Sequence, residues 1–266
     1  MEEHKIVLFT LVSGSSGNCA YIGTEEQGFL IDAGITAKAL CHAFTEHQIP
    51  LSNIKGILLT HEHRDHIGGL GVLMRKLQVP VFATKGTWLG VTSMHSLGKL
   101  PDGLSYTISS ESTLQLGKFH LTVVATSHDA NEPVGYLFRC GNKSLGYVTD
   151  TGNLSINARE LLRDATAYII EANHDEDMLR RGPYPYYLKQ RIASARGHMS
   201  NNFCGEILQE LLTASCSHVI LAHLSSENNT HQLAAETVLA LLSEHPFPLP
   251  IITIAPRFTS HQKVEI

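Results

Sequence analysis

The sequence lacks the features that mark secreted or membrane-spanning proteins. It has only five cysteines, with no Cys-x-x-Cys pair, and an odd number of scattered cysteines argues against a disulfide framework. No stretch approaches the roughly 20 apolar residues of a membrane span. The acidic start, Met1-Glu2-Glu3, is unlike a secretory signal. We therefore expect reduced thiols, a cytoplasmic location and no membrane partner.

The sequence also lacks an excess of positive charge. It has 20 Lys and Arg and 25 Asp and Glu, which gives a formal charge of −5. No global basic field exists to hold a polyanion, so local patches or metal ions would have to do so. Histidine, in contrast, is abundant at 16 residues, which fits a metal site. The 266 residues, 43% of them hydrophobic, are enough for a full core. We expect one domain over residues 1–266.

Residues that can bind a metal ion are most concentrated in the segment Thr60-His61-Glu62-His63-Arg64-Asp65-His66. An apolar run, Ile54–Leu59, predicts a buried strand before it, and Gly69–Leu77 has the spacing of an amphipathic helix after it. The segment thus follows the carboxyl end of a strand, where open α/β sheets place their sites. Imidazole and carboxylate groups are ligands for borderline divalent cations. The alternative is a polar loop that is rich in histidine by chance.

Other candidate ligands also follow predicted strands. His128 comes after the strand that ends near Thr126, Asp150 after a predicted hairpin around Gly141-Asn142, and His223 after the predicted strand Ser217–Ala222. Asp32, at the end of Phe29–Ile31, has the position to accept an N–H from a ligand histidine and orient it. It is also a common residue at a turn or a helix N-terminus.

These alternating strands and helices predict an α/β fold with two sheets face to face and helices outside. Loops at one edge would then gather five imidazoles and two carboxylates, enough for two metal ions with an open water position on each. The seven candidate ligands are His61, His63, Asp65, His66, His128, Asp150 and His223.

Two further segments are candidates for substrate contact. The loop containing Ser15, Ser16 and Asn18 has backbone N–H groups that suit an anion, although a plain hairpin turn explains it equally well. The region from Arg180 and Arg181 to Arg196 interleaves cations with tyrosines, which suits phosphates and stacked bases. A solvated helix face is the alternative.

The ordered set of strand-end ligands resembles the metallo-β-lactamase superfamily, whose pattern is Asp, His-x-His-x-Asp-His, His, Asp and His. The resemblance implies the αββα four-layer sandwich, with two mixed β-sheets flanked by helices. It assigns His61, His63 and His128 to one metal ion, Asp65, His66 and His223 to a second, and Asp150 to both. The contexts Gly14-Ser15-Ser16-Gly17-Asn18-Cys19 and Gly197-His198-Met199-Ser200-Asn201 are similar to the YycJ (WalJ) branch, and we expect Ser200 and Asn201 among the substrate contacts.

Members of that branch are phosphodiesterases or 5′-to-3′ exodeoxyribonucleases, so we expect a dinuclear metal-dependent hydrolase that acts on DNA from 5′ ends. The cofactors would be two divalent cations, zinc or manganese with iron also compatible, and a metal-bridging hydroxide would attack phosphorus. A small-molecule phosphodiesterase acting on a cyclic nucleotide or related diester is one alternative, and a non-catalytic metal-binding sensor of the same fold is another.

The expected catalytic residues are Asp65, His198 and Glu171. His198, paired with Glu171, would protonate the leaving oxygen, as the resemblance to two short motifs of tRNase Z implies. A carboxylate neighbour raises the pKa of an imidazole, which suits this role. His198 as a helix cap or phosphate contact is the alternative, and His174 is a rival for the same role.

Overall fold

The computed structural model describes residues 5–266. Its strands in chain order are β1 Val7–Val12, β2 Cys19–Gly23, β3 Gly28–Ile31, β4 Ile54–Leu58, β5 Val81–Thr84, β6 Ser105–Ile108, β7 Thr113–Leu116, β8 Phe119–Ala125, β9 Val134–Cys140, β10 Lys143–Val148, β11 Ala167–Glu171, β12 His218–Ala222, β13 Ile251–Ile254 and β14 Val264–Glu265. The α-helices are α1 Ala37–Glu46, α2 Arg64–Ile67, α3 Leu70–Leu77, α4 Lys85–Ser93, α5 Ile156–Leu162, α6 Glu176–Arg181, α7 Tyr186–Ile192, α8 Asn201–Leu211 and α9 His231–Leu241.

Within residues 5–266 these strands form two mixed sheets of seven. The first has the order β14-β1-β2-β3-β4-β5-β6 and the second the order β13-β12-β11-β10-β9-β8-β7. The strands from β3 to β6 are parallel, and so are those from β10 to β13. Strand β8 runs in the same direction as β10, because each is antiparallel to β9. The carboxyl ends of β8, β10, β11 and β12 therefore share one edge of the second sheet.

Three apolar layers hold the fold together. The central layer lies between the sheets and includes Leu8 of β1 and Phe138 of β9. Alternate residues of the first sheet, such as Phe9, pack outward against α1 and α3, whereas the outer face of the second sheet packs against α5, α8 and α9. Both faces of each sheet are thus covered, which explains why the strands read as continuous apolar runs. The predicted αββα sandwich is confirmed.

The structure also contains elements that the sequence pattern did not predict. Residues 87–117 show no clear period in their sequence, yet they contain most of α4 and the strands β6 and β7. The apolar run Ile251–Ala255 is the last strand that the sequence pattern predicts, but β14 follows it and pairs with β1. A strand of two residues is too short for any period to reveal. Among the described residues, no helix combines the length and the apolar character needed to cross a bilayer.

Candidate metal centre

The central motif follows β4 at the edge of the first sheet, as predicted, but part of it is helical. His63 precedes the short helix α2, and Asp65 and His66 lie on that helix. Asp65 and His66 therefore lie in the first turn of α2, directly after His63. His61 and His63 form a group with His128, while Asp65 and His66 form a neighbouring group with His223.

The first candidate metal set consists of His61, His63 and His128, whose ligand atoms lie within 4.8 Å of one another. The distance from His61 Nε2 to His63 Nδ1 is 3.0 Å, and His128 is fixed by a 2.9 Å contact from its Nδ1 to the carbonyl of Gly197. Burial lowers the pKa of His61 and of His128. Both imidazoles are thereby kept in the neutral form that binds cations.

The second candidate set consists of Asp65, His66 and His223, also within 4.8 Å of one another. Asp150 lies between the sets, with Oδ2 3.3 Å from His66 Nε2 and Oδ1 3.9 Å from His128 Nε2. Burial on its own would lower the pKa of His66, but nearby carboxylates, Asp150 first, raise it well above its usual range. This strongly negative potential suits divalent cations.

Two buried atoms in this cluster support cation binding directly. Among the described residues, Asp150 Oδ2 and His223 Nε2 make no well-aligned hydrogen bond, even though Asp150 Oδ2 lies 3.3 Å from His66 Nε2, and both side chains are only 3% exposed. Buried polar atoms without partners are costly, and a ligand that completes them removes the cost. The donor set of imidazoles and carboxylates fits zinc, manganese or iron.

Asp32 is fully buried behind the central motif. Its carboxylate accepts from the backbone N–H and the hydroxyl of Thr60 and lies 2.7 Å from Nδ1 of His66. Burial raises the pKa of Asp32, although the contacts with His66 and Thr60 act in the opposite direction. The Nδ1 contact leaves Nε2 of His66 facing the candidate metal position.

Glu171, the last residue of β11, contacts two histidines of the site. Its Oε1 lies 2.8 Å from Nδ1 of His198 and 2.8 Å from Nδ1 of His223, and its Oε2 accepts from the backbone N–H of Thr151 and Met199. Burial acts to raise the pKa of Glu171, but His198 and His223 outweigh it and hold the pKa at about 2. The carboxylate is thus charged and orients both imidazoles at once, and only the His198 contact was expected.

Three site residues that follow strands have left-handed backbone conformations. The φ angles are +62° at Asp32, +53° at Asp150 and +56° at His223. Asp and His tolerate this region better than most residues, yet each instance carries strain that the surrounding structure has to hold. These kinks turn the three side chains from the strand ends toward the shared edge.

The expected substrate contacts divide into exposed and enclosed residues. Ser15 and Ser16 are exposed, and Ser15 lines a cavity of about 300 Å³ above the metal positions, called here the metal cavity. Asn18, in contrast, is buried, and its amide contacts Gly14 and Asp65. It therefore ties the Ser15-Ser16 loop to the metal motif.

The other expected contacts lie on the far side of the site. Arg180 and Arg181 are exposed on α6, and both pair with Asp177 of the same helix. Ser200 caps α8 and donates to Glu176. The amide of Asn201 is fully enclosed and pairs with Asn229.

Asp129 is a site residue that the sequence reasoning missed. Its Oδ1 lies 3.3 Å from His128 Nε2, and its other oxygen accepts from Nε of Arg191 at the wall of the metal cavity. The hydrogen bond to Asp129 raises the pKa of Arg191. Adjacency to His128 was the only signal in the sequence, and an aspartate beside a histidine is too common to be informative.

A chain with this sandwich and these two ligand sets is defined by its fold and site as a metal-dependent hydrolase. Residues 28–224 match the family model described as the beta-lactamase superfamily domain. The chain therefore belongs to the metallo-β-lactamase superfamily.

Comparison with similar proteins indicates a smaller group within this superfamily. The chain is 39% identical to "Exodeoxyribonuclease YycJ" of Bacillus anthracis over 237 residues, which cover 89% of each chain. It is 37% identical to "Exodeoxyribonuclease WalJ" of Streptococcus pneumoniae over 88% of this chain and 87% of that protein. The crystal structure of the metallo-beta-lactamase fold protein YhfI from Bacillus subtilis superposes with a TM-score of 0.75 at 17% identity, covering 99% of this chain and all of that one.

Proposed function

We propose that this protein is a dinuclear metal-dependent phosphodiesterase that removes nucleotides from 5′ ends of DNA. One observation carries the proposal: two ligand sets meet at Asp150 at the base of the open metal cavity. The names of the two exodeoxyribonuclease relatives support DNA as the substrate. Zinc and manganese both suit the ligands, and iron is compatible. A cytoplasmic location stays a prediction from the cysteine content.

When bound, the two cations would neutralise the phosphate and supply an activated water as nucleophile. The candidate ligands determine where the two cations would lie. Asp32 and Glu171 hold two of these ligands, His66 and His223, in place. Arg191 reaches the same cavity from α7, where Asp129 holds its guanidinium. A guanidinium at this position suits the charge that develops on phosphate oxygens.

His198 is the residue that we assign to the leaving oxygen. Its Nδ1 is held by Glu171, and the ring lines the metal cavity. Burial on its own would lower the pKa of His198, but Glu171 and then Asp150 raise it above the usual value. A protonated imidazole beside the scissile phosphate is suited to donate to the departing alkoxide.

The test is degradation of 5′-phosphorylated single strands labelled at either end, with added Mn²⁺ or Zn²⁺ and with a chelator. We expect loss of nucleotides from the 5′ end, abolished by chelation. Asp65→Asn should lose activity by orders of magnitude, because the second cation loses a ligand. Asp102→Asn, at a 92% exposed carboxylate, is the matched control and should retain activity.

Three outcomes would contradict the proposal. Near-normal turnover by Asp65→Asn with a full metal complement would overturn the ligand assignment. Hydrolysis of bis-p-nitrophenyl phosphate without attack on DNA would favour a small-molecule phosphodiesterase. Metal binding without turnover of any diester would favour the sensor.

Arg180 and Arg181 are proposed contacts for the DNA strand. Exposed cations near phosphates contribute a salt-dependent share of nucleic-acid affinity. The double variant Arg180→Gln with Arg181→Gln should slow DNA turnover and spare a small diester. Equal losses on both substrates would argue against a nucleic-acid track at α6.

A further inference from the structure

The backbone of His223 leaves the second sheet directly after β12. The strand ends at Ala222, and the next residue has a φ of +56° although it is only 3% exposed. A residue in this left-handed conformation turns its peptide groups away from the hydrogen bonds of the sheet, and buried peptide groups need other partners. Because the imidazole of His223 belongs to the second candidate set, the partners of its backbone bear on the metal position.

Ser13 supplies one of these partners from the first sheet. It follows β1 directly, is 5% exposed, and its Oγ accepts from the backbone N–H of His223 at 2.8 Å. The two residues lie 210 positions apart in the chain, so this bond joins the two sheets at the metal edge. Ser13 is not among the residues that line the metal cavity, so its hydroxyl serves the backbone rather than a substrate.

Asn173 supplies the partner for the other peptide group. Its Nδ2 donates to the backbone carbonyl of His223 at 2.8 Å, and its own carbonyl accepts from the N–H of Ser225. Glu171 lies 2.8 Å from Nδ1 of the His223 ring. The ligand is thus held at both peptide groups and at one ring nitrogen, and its Nε2 lies 3.8 Å from Oδ2 of Asp65.

The loop that begins at Ser13 also reaches the other residues of the second candidate set. Nδ2 of Asn18, in the same loop, lies 3.2 Å from Oδ2 of Asp65 and 3.0 Å from Nε2 of His66. Oδ1 of Asn18 accepts from the N–H of Gly14, which holds the amide within the loop. One short loop therefore contacts the whole second set, through the backbone of one ligand and the side chains of the other two.

We propose that Ser13 is a positioning residue for the second candidate cation, because its hydroxyl holds His223 in the left-handed conformation that directs the ring toward Asp65. This inference rests on the proposed function, since it takes Asp65, His66 and His223 as one ligand set. A left-handed residue other than glycine carries strain and persists only where the surrounding structure holds it. Without its acceptor the buried N–H is left unsatisfied, and the backbone of His223 can relax and turn the imidazole away from the cation position.

Calorimetric titration of the chelator-treated protein with Zn²⁺ tests this proposal without any turnover. We expect two binding events, and the event that is lost in Asp65→Asn identifies the second set. Ser13→Ala should weaken that event about 10- to 100-fold, as is usual when a group that orients a metal ligand is lost. It should leave the other event unchanged, because the ligands of the first set follow other strands.

Two further variants complete the test. Ser13→Thr retains the hydroxyl and should recover most of the affinity that Ser13→Ala loses. Asn173→Ala removes the partner of the His223 carbonyl and should weaken the same event, so the role of this backbone is tested even where Ser13→Ala folds poorly. Ser243→Ala, at an exposed serine after α9, is the matched control and should bind both cations as the wild type does.

Wild-type affinity for both cations in Ser13→Ala would overturn the proposal. Equal weakening of both events would overturn it as well, because the loss would then be a general loosening of the fold. So would Ala and Thr variants that bind equally weakly at unaltered melting temperatures. A protein that degrades DNA although Ser13→Ala binds both cations normally fails only this proposal, whereas one that binds both cations and degrades no DNA fails only the proposed function.

Discussion

The smallest unit to which the proposed function assigns a role is a single imidazole nitrogen. Nδ1 of His198 lies 2.8 Å from Glu171, so only its other nitrogen is free to face a substrate. Proton donation by such a group is worth about 10²–10⁴-fold when the leaving group is poor. His198→Ala should therefore slow a diester with an alkoxide leaving group far more than one with p-nitrophenolate. Parallel rate measurements on both substrates decide this, and equal losses would reduce His198 to a positioning residue.

Glu171 provides a second prediction for a single residue. Glu171→Gln keeps the shape of the side chain but removes the buried charge that holds His198 and His223. We expect activity and metal affinity to fall about 10- to 100-fold, as is usual when a partner of a ligand histidine is lost. Metal content and rates measured beside Glu160→Gln, an exposed control on α5, test this. Full metal affinity in Glu171→Gln would show that His223 needs no orienting carboxylate.

At the scale of elements, the placement of α2 depends on a glycine. A Cβ at Gly34 would lie 1.6 Å from the carbonyl oxygen of Asp65, and the N–H of Asn18 donates to that same oxygen. The turn after β3 and the helix that carries Asp65 thus touch backbone to backbone.

Gly34→Ala should push α2 away from its position and cost about 1–3 kcal/mol or more of stability, as overpacking does. The second cation should bind more weakly as well. Denaturation and metal titration measure both effects. Gly103→Ala is the control, because its Cβ meets nothing within 4 Å and only its φ of +74° opposes the change. Equal metal affinity in both variants would contradict this role for Gly34.

The segment before β14 provides a pH-dependent contact with α1. His47, just after α1, contacts Ser260, and His261 lies 3.0 Å from Thr253. Burial lowers the pKa of both imidazoles, which favours their neutral form in the folded chain. Below the ordinary histidine pKa of about 6.5, the unfolded chain takes up protons that the folded chain does not.

The contribution of these two histidines to the unfolding free energy is therefore complete above that pH. It declines as the pH falls toward the lower pKa values that they have in the folded chain. The unfolding free energy measured at pH 8 and pH 5 should drop less in the double variant His47→Asn with His261→Asn than in the wild type. An identical drop would mean that neither histidine contributes.

The elements differ in how well the sequence predicts them. The strands β3, β4, β8, β10, β11 and β12 were predictable because each is an apolar run that ends in a polar site residue. In α4, glycines and threonines obscure any helical period, and β7 is too exposed to show a buried face.

The seven candidate ligands converge because the strand order brings the carboxyl ends of their strands together. The internal use of Asn18 and Asn201 was not predictable, because amides bind protein and substrate equally well.

At the scale of the whole molecule, the candidate metal ligands come from both sheets. His61, His63, Asp65 and His66 follow β4 of the first sheet, whereas His128, Asp150 and His223 follow strands of the second. Cations bound by both groups would connect the two halves of the sandwich. Binding to the folded chain alone adds about 2.7 kcal/mol when the free cation is 100 times its dissociation constant.

Removing the cations with a chelator should therefore lower the melting temperature by about 5 °C or more, at about 2–4 °C per kcal/mol for a chain of this size. Added Mn²⁺ or Zn²⁺ should restore it. Calorimetry with parallel metal analysis measures this, and His223→Ala should show a smaller shift. An unchanged melting temperature at zero metal content would mean that the site does not connect the halves.

The pairing of β14 with β1 also affects the order in which the strands of the first sheet can pair. Leu8 pairs with Val264, so β1 is the edge strand of the first sheet until residues 264–265 have left the ribosome. Contacts between segments so far apart in sequence form slowly, and an open strand edge meanwhile invites pairing with other chains. During synthesis, β1 is therefore open to pairing with another chain in the interval between the emergence of β1 and that of β14.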